Sequence, residues 1–414
     1  MFRIRLNFSQ LTMLIAGLLA LAVATPALAQ TTGSIRGTVI DDDMGLPIPN
    51  VAITISAPTL IGGSQSRPTD ADGNFHFVEL MAGSEYSLNA AKEGFKSVTV
   101  TDIGVNVGRT TVQNIEMQIG SQIEEIEVVG GRKAVDVEQT SRSEVLTKEF
   151  LERIPAGRSY QTAVQAAAGV TGGGGNPNMA GAAYNENTYM LDGANITDPV
   201  TGTFSVNFNF DAIQQIEVVL GGYMPEYGVS LGGIVNLVTN SGTNNLEFDT
   251  SLFYTNGDLR PRMDARYTAD GYDLGPTGFD STFSMLQVNG LISGPIVRDR
   301  AWFIISYSHE RSVIARTGIP QTRDYDAQYV MAKLTVQPNS EHRFTAFLQM
   351  DPTVIDNMDQ GDPYQKAESQ GRQVQGGYVT QGRWQWFLSP DANIDTQIVV
   401  QKTYIETGAV ACTH

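Results

Sequence analysis

The chain has 414 residues, a formal net charge of −17 and a single cysteine, Cys412. This length accommodates two or three domains of ordinary size. The acidic balance, with Lys and Arg scattered along the chain, argues against a nucleic-acid-binding protein, because neutralising phosphates requires clustered cations. A single cysteine excludes a fold organised by disulfides or by a thiolate metal site.

The N-terminus has the pattern of a secretory signal peptide. Arg3 and Arg5 precede an apolar run from residue 11 to residue 24, and small residues at 27–29 offer a cleavage site. A membrane anchor is the alternative, but a spanning helix needs about 20 apolar residues and this run is shorter. We therefore expect residues 1–29 to direct export. Since no later segment is apolar enough for a spanning helix, any membrane insertion must use β-strands.

Residues 31–118 contain short alternating apolar runs broken by turn residues, which predicts a small β-sandwich. The segment 69–75 begins like a calcium loop but lacks the closing Glu of an EF-hand, so we interpret it as a tight turn. The segments IRGTV, PIPNV, TDADGNFHF and KEGF of this region resemble the carboxypeptidase regulatory-like domain. The resemblance implies a sandwich fold. It leaves carbohydrate contact open, because domains of this type are also compared with starch-binding modules.

An acidic stretch with high β-propensity follows at residues 123–130. It reads Ile123, Glu124, Glu125, Ile126, Glu127, Val128, Val129, Gly130. An extended segment of this kind can add as a strand to the sheet edge of another protein. The alternatives are a last strand of the sandwich or a plain linker.

Residues 131–242 predict a mixed α/β unit. Two helical stretches, 147–154 and 159–168, each begin at a hydroxyl residue that can serve as N-cap. Strand-like runs follow, and Asp192-Gly193, a strong turn dipeptide, joins the first two. The runs lie at 188–191, 194–196, 213–220 and 232–239.

Residues 246–414 change to strands of about ten residues, the length that crosses a bilayer at a tilt. About seven are predicted, with long polar connections alternating with short turns, as in outer-membrane barrels. In one of them, Val330, Ala332, Leu334 and Val336 share one face, and Tyr329, Lys333 and Thr335 share the other. We expect the apolar face to meet lipid. The strands lie near 246–255, 281–293, 301–310, 328–336, 342–350, 378–388 and 394–404.

No motif predicts catalysis. The segment GVSLG at 228–232 matches the nucleophile-elbow pattern, but a glycine and a β-branched run follow it where a helix is required. The four histidines have no metal-ligand spacing. We therefore expect no enzymatic activity, no catalytic residue, no metal and no cofactor.

Taken in chain order, these segments resemble a TonB-dependent outer-membrane receptor of the Oar-like or SusC-like subclass. In that resemblance 123–130 is the TonB box, and eight residues carry the plug motif: Asp192, Gly193, Glu217, Tyr227, Gly228, Gly232, Gly233 and Asn236. It implies a barrel in the outer membrane of a Gram-negative bacterium, occluded by a plug. It also implies active uptake of a large ligand such as an oligosaccharide or peptide. The implied partners are TonB with its inner-membrane energising complex, outer-membrane lipid and, as a further candidate, a surface lipoprotein.

The predicted fold class is mainly β: an N-terminal β-sandwich, an α/β plug domain, then the first strands of an incomplete transmembrane β-barrel. The predicted divisions are a signal peptide at 1–29, the sandwich at 31–118, the box at 123–130, the plug at 131–242 and the partial barrel at 246–414. A barrel of about 22 strands needs more residues than 246–414 supply, so the sequence predicts an N-terminal fragment. An exported carbohydrate-binding module, and a hydrolase using Ser230, are the alternatives.

Overall fold

The computed structural model describes most of the chain after residue 31. The described residues are 32–58, 60, 63–120, 125–129, 142–154, 157–172, 176–223, 230–259, 283–314, 322–358, 371–389 and 392–409. The predicted signal peptide lies outside them. In this part of the chain, no helix combines the length and apolar character needed to cross a bilayer.

The N-terminal region is a sandwich of two sheets. Its strands are β1 (Thr32–Asp41), β2 (Ala52–Ser56), β3 (Ser64–Pro68), β4 (Asn74–Met81), β5 (Gly83–Ala91), β6 (Ser97–Val105), β7 (Thr110–Val112), β8 (Ile115–Met117) and β9 (Glu125–Val129). One sheet has the order β4-β1-β7 with β8 also on β1, and the other has the order β3-β2-β5-β6-β9. Alternate residues such as Ile53, Ile55 and Phe77 are fully buried between the sheets. The β-sandwich predicted from the alternating pattern is confirmed.

A glycine permits the closest approach inside this sandwich. Gly37 lies on β1, where an added Cβ would overlap the carbonyl oxygen of Gln113. We expect Gly37→Ala to destabilise the sandwich by about 3 kcal/mol, because a backbone atom cannot move aside as a side chain can. Hydrogen exchange of the sandwich amides in the full chain measures this. Gly104→Ala on β6, where an added Cβ meets nothing within 4 Å, is the matched control. Equal exchange in both variants would contradict the expectation.

The second region, called the plug below, is a mixed sheet with two short helices. Its elements are β10 (Arg142–Thr147), α1 (Lys148–Arg153), α2 (Tyr160–Val164), β11 (Val170–Thr171), β12 (Asn178–Met179), β13 (Thr188–Leu191), β14 (Ala194–Asn195), β15 (Ile213–Gly221) and β16 (Ile234–Thr239). The sheet order is β10-β15-β16-β13-β14. Both helices start where the sequence predicts. The Ser159 side chain caps α2 by accepting from the Thr162 amide. β16 is buried at every position, including the polar residues Asn236 and Thr239.

The third region is one antiparallel sheet, called the wall sheet below. Its strands are β17 (Glu247–Asn256), β18 (Phe283–Val297), β19 (Ala301–Ile314), β20 (Arg323–Val336), β21 (His342–Met350), β22 (Thr353–Asp356), β23 (Gly371–Ser389) and β24 (Ala392–Ala409). They follow one another in chain order, except that β23 pairs with β21, β22 and β24. The predicted alternation holds: Leu334 is 39% exposed, whereas Tyr329, Lys333 and Thr335 on the opposite face are buried.

The number of strands differs from the prediction. The described residues contain eight strands in the wall sheet where about seven were expected. The extra one, β22, lies inside the stretch 351–377 that the polar composition assigned to a loop. Asp351 and Pro352 separate it from β21, and a proline cannot donate to the ladder. Both β21 and β22 pair with β20 and β23, so a single interrupted strand accounts for the difference.

The plug packs against the inner face of the wall sheet. Leu291, Ile304, Met331, Phe347 and Val379 point inward from five wall strands and belong to the same buried cluster as the plug core. Burial of apolar surface is the main favourable term in such an assembly. The wall sheet therefore shares its core with the plug and exposes its outer apolar residues.

Candidate functional site: the box strand and the interface between plug and wall

The segment predicted as a TonB box forms an edge strand. β9 pairs in parallel with β6, from Ser97 opposite Glu125 to Thr101 opposite Val129. It is last in the sheet order, and within the described residues no strand pairs with its other edge. Ile123 and Glu124 lie outside the described residues. The strand therefore closes the sandwich, which is one alternative that the sequence left open, and within the described residues its outer edge is available for strand addition.

Two plug-motif residues form the tight turn that the sequence predicts. Asp192 and Gly193 connect β13 to β14 with φ angles of 45° and 82°. Positive φ at both central residues is typical of the type I′ hairpin turn, for which Asp-Gly is a preferred sequence. The turn directs the Asp192 carboxylate back to β16. The Thr239 amide donates to Oδ1 at 2.9 Å, and the Thr239 hydroxyl donates to Oδ2 at 2.7 Å.

The same carboxylate joins the plug to the wall sheet. Lys333 on β20 approaches Asp192 with 3.0 Å between Nζ and Oδ2, and both side chains are buried. Its ammonium group also lies 3.3 Å from the carbonyl oxygens of Thr239 and Asn240 and 3.4 Å from Ser241 Oγ. Burying an ammonium group is costly unless a counter-charge and hydrogen-bond acceptors surround it, and these four oxygen atoms provide both. The sequence placed Lys333 on the polar face of its strand but did not predict this ion pair.

The other described plug-motif residues lie inside the plug. Glu217 and Asn236 are cross-strand partners on β15 and β16, and the Asn236 amide donates to Glu217 at 3.5 Å. An added Cβ on Gly232 would overlap Asn187, and one on Gly233 would overlap Met179. The two glycines therefore allow close packing within the plug. Tyr227 and Gly228 lie outside the described residues.

Further hydrogen bonds connect the plug to the wall. The Asn207 amide group donates to Asp351, Asn209 donates to Ser306, and Gln381 donates to the Leu191 carbonyl. Most of these wall partners are polar residues that face inward from otherwise apolar strands. Arg158 of the plug also stacks 3.9 Å from the Phe253 ring centroid, which is a cation–π geometry. The plug is thus attached through many separate polar contacts as well as through its core.

The hydrogen bond from Thr403 of β24 to Asp198 of the plug predicts a pH dependence. Burial would raise the pKa of Asp198, but hydrogen bonds from Thr201, Thr403 and Val200 outweigh it and lower the pKa from 3.8. A lowered pKa in the folded state stabilises the fold fully above the unfolded value, and this stabilisation is lost as the pH falls through the folded pKa. We expect acid below about pH 3.8 to weaken the attachment at β24, and Asp198→Asn to remove this component. Urea unfolding at pH 3 to 6 measures it. An unchanged pH profile in Asp198→Asn would contradict the expectation.

The sandwich also contacts both other regions. Glu79 of the sandwich accepts hydrogen bonds from Gln385 and Asn393 of the wall sheet, at 3.1 and 2.9 Å. Arg109 donates to the carbonyl and hydroxyl oxygens of Ser143 on β10. No sequence pattern predicts these contacts, because they join residues that are distant along the chain and belong to no motif.

The candidate nucleophile of the elbow pattern has another role. The Ser230 hydroxyl donates to the carbonyl oxygens of Gly233, at 3.1 Å, and Glu186, at 3.3 Å. A nucleophilic serine instead needs a general base within hydrogen-bond reach. Ser230 stabilises the turn that precedes β16.

Two family models match the chain. The carboxypeptidase regulatory-like domain matches residues 34–118, and the TonB-dependent receptor plug domain matches residues 135–234. The first match covers the sandwich and the second covers most of the plug. The chain belongs to the TonB-dependent receptors and carries an N-terminal carboxypeptidase regulatory-like domain. Receptors of this family are outer-membrane transport proteins of Gram-negative bacteria and not enzymes, as the sequence predicts.

The chain is similar to the TonB-dependent transporter Oar of Myxococcus xanthus. The two are 32% identical over 304 residues, which are 71% of this chain and 28% of Oar. The chain therefore spans less than a third of the length of this relative. Among solved structures, the outer membrane transporter YddB from Escherichia coli matches with a TM-score of 0.52 and 13% identity, over 65% of this chain and 40% of that one. This second likeness concerns the fold.

Proposed function

We propose that this chain takes up a large ligand across the outer membrane with energy delivered by TonB. The observation that carries the proposal is the arrangement of the three parts. The plug is held against the inner face of the wall sheet by apolar and polar contacts, and an edge strand lies just upstream of the plug. A plug in that position closes the lumen until something displaces it. A strand with a free edge gives a periplasmic partner a point of attachment.

Each segment has its own role in this proposal, and the roles are given in chain order. Residues 1–29 direct export, the sandwich at 31–118 precedes the box at 123–130, the plug occupies 131–242, and 246–414 contribute to the barrel. TonB, with its inner-membrane complex, pairs with the box, where Ile123, Glu124 and Glu125 to Val129 supply the backbone. Outer-membrane lipid contacts the exposed apolar face, which includes Phe248, Leu252 and Ile398. The ligand is an oligosaccharide, a peptide or a molecule of similar size, and a surface lipoprotein is a candidate partner in capturing it.

The plug-motif residues have structural parts in this proposal. Asp192 and Gly193 fix the turn that contacts Lys333, Glu217 and Asn236 join the two central strands, and Gly232 and Gly233 allow them to pack. Tyr227 and Gly228 complete the motif. Displacing the plug requires breaking the Asp192–Lys333 ion pair and the hydrogen bonds around it. The plug therefore stays closed at rest and opens when force is applied through the box.

Accumulation of ligand in living cells tests the proposal. Cells producing the native protein receive a labelled mixture of peptides and oligosaccharides, and periplasmic label is compared with that of cells lacking TonB. We expect accumulation to require TonB and to disappear when residues 123–130 are deleted, while surface binding persists. Accumulation that survives both changes would exclude TonB-dependent transport. Binding confined to the sandwich, without accumulation, would favour a carbohydrate-binding module.

A further inference from the structure

A group of unpaired hydrogen-bond acceptors lies on the inner face of the wall sheet. Gln287 on β18 and Glu310 on β19 are direct cross-strand partners, so their side chains lie on the same face with Cβ atoms about 5 Å apart. Glu310 pairs in turn with Ala327 on β20, and Ala327 pairs with Thr353 on β22. Asp351 precedes β22 on the same side of the sheet. The acceptor groups of Gln287 and Glu310 are thus adjacent, and Asp351 lies on the same face beyond β20, the strand that separates β19 from β22.

Several acceptor atoms of this group have no donor within the described residues. The Glu310 carboxylate has no hydrogen bond or ion pair with any of them. Gln287 is 2% exposed, and its Oε1 has no partner there either. Asp351 is 3% exposed; its Oδ2 accepts from Asn207 at 2.8 and 3.1 Å, whereas its Oδ1 makes no hydrogen bond of ordinary geometry with any described residue. Buried acceptors without donors are costly, and native proteins rarely contain several in one place without a reason.

Two tyrosines border the same group. Tyr325 and Tyr329 lie two residues to either side of Ala327 on β20, and their hydroxyl groups are 2.8 Å apart. Because Ala327 is the cross-strand partner of Glu310, both tyrosines are diagonal neighbours of Glu310 on the same face. Glu310 and Tyr325 are only partly buried, so this side of the group can be reached from solvent. Aromatic faces beside carboxylates attract organic cations.

We propose that this group binds a positively charged organic group of the transported ligand, a guanidinium or a primary ammonium. Such a group supplies hydrogen-bond donors and a positive charge to Gln287, Glu310 and Asp351. It carries no hydrogen-bond acceptors, and the unpaired atoms at this site are themselves acceptors. A neutral sugar hydroxyl would satisfy the acceptors without balancing the carboxylates. Within the described residues, no three acidic, histidine or cysteine side chains form a metal-binding arrangement, which favours an organic cation over a metal ion. The inference rests on the proposed function for the place of this site in the uptake pathway.

Equilibrium binding to the purified full chain in detergent tests the inference. The probes are N-acetylarginine amide and N-acetylcitrulline amide, which have nearly the same shape but differ in charge. We expect the arginine probe to bind at least about tenfold more tightly, as a charge-assisted hydrogen bond in a buried site provides. Glu310→Gln, which keeps the size of the side chain, should reduce this preference to about threefold or less. Asp351→Asn should reduce it as well.

Glu341→Gln is the matched control, because Glu341 is an exposed acid in the short turn between β20 and β21. It should leave the preference for arginine unchanged. Equal binding of the two probes, absence of binding by both, or an undiminished preference in Glu310→Gln would each overturn the inference. The measurement needs no TonB, so a failure of TonB-dependent uptake would not affect it. Uptake that requires TonB but shows no preference for cations would refute this inference alone.

Discussion

We expect two prolines in the box strand, Glu127→Pro with Val128→Pro, to weaken binding of the periplasmic domain of TonB to the full chain at least about thirtyfold. Successive backbone N–H groups along a strand point to opposite edges, so adjacent prolines remove one donor from each edge. If TonB pairs with β9 by strand addition, the lost main-chain hydrogen bonds weaken binding by about 2 kcal/mol, or about thirtyfold in Kd. Distortion of the strand would increase the loss. Surface plasmon resonance with the purified TonB domain measures the Kd of the native chain and the Kd of the proline variant.

The matched control replaces the same two residues with alanine. Alanine keeps every backbone donor, and in strand addition the main chain provides most of the affinity. We therefore expect Glu127→Ala with Val128→Ala to bind TonB within about threefold of the native chain. Normal binding by the proline variant would refute strand addition at this site. An equal loss in the alanine variant would mean that TonB recognises side chains here.

The second large effect is expected at the ion pair between plug and wall. Asp192→Ala leaves the Lys333 ammonium buried without its carboxylate and removes two hydrogen bonds from Thr239. Removing one partner of a buried ion pair typically costs about 3–5 kcal/mol. We expect a loss of about 4 kcal/mol in the free energy of unfolding, with earlier protease cleavage in the plug. Urea titration of the detergent-solubilised chain, followed by fluorescence and by limited proteolysis, measures both.

Two further variants separate the ion pair from general damage. Asp192→Ala combined with Lys333→Met removes both charges, and we expect it to recover most of the lost stability, because an apolar pair of similar volume often replaces an ion pair at little cost. Asp326→Ala breaks the solvent-exposed contact with His309 and should cost less than about 1 kcal/mol. A double variant less stable than Asp192→Ala would contradict the role assigned to this pair.

The local elements could largely be predicted from the sequence, because their signals are short-range. Alternation identified the sandwich strands and the outward-facing side of β20, and N-cap residues located both plug helices. The Asp192-Gly193 turn follows from the positive φ angles that this dipeptide tolerates. Each of these predictions depends on residues within one turn or one strand of each other.

The partners of these elements could not be predicted in the same way. Asp192 was identified as a turn residue, but its ion pair depends on Lys333, which arrives from a strand about 140 residues later. A lysine on the inward face of a membrane strand is the signal that could have drawn attention to it, since such a charge requires a buried partner. The pairing of β9 with β6 likewise depends on which of several open edges is nearest. The strand β22 was missed because it has only four residues inside a stretch that is otherwise polar, and its pairing with β20 and β23 provides the order.

A cross-link between the box strand and TonB in living cells tests the central claim most directly. The cells produce the full chain with Cys412→Ser, which removes its single native cysteine, and with Glu127→Cys in β9. TonB carries one cysteine on its own pairing strand. We predict a disulfide-linked complex in the outer-membrane fraction, and its loss when Gly104→Cys on β6 replaces the substitution in the box. A Glu127→Cys variant that reaches the outer membrane and reacts with maleimide, yet forms no complex with TonB, would contradict the account.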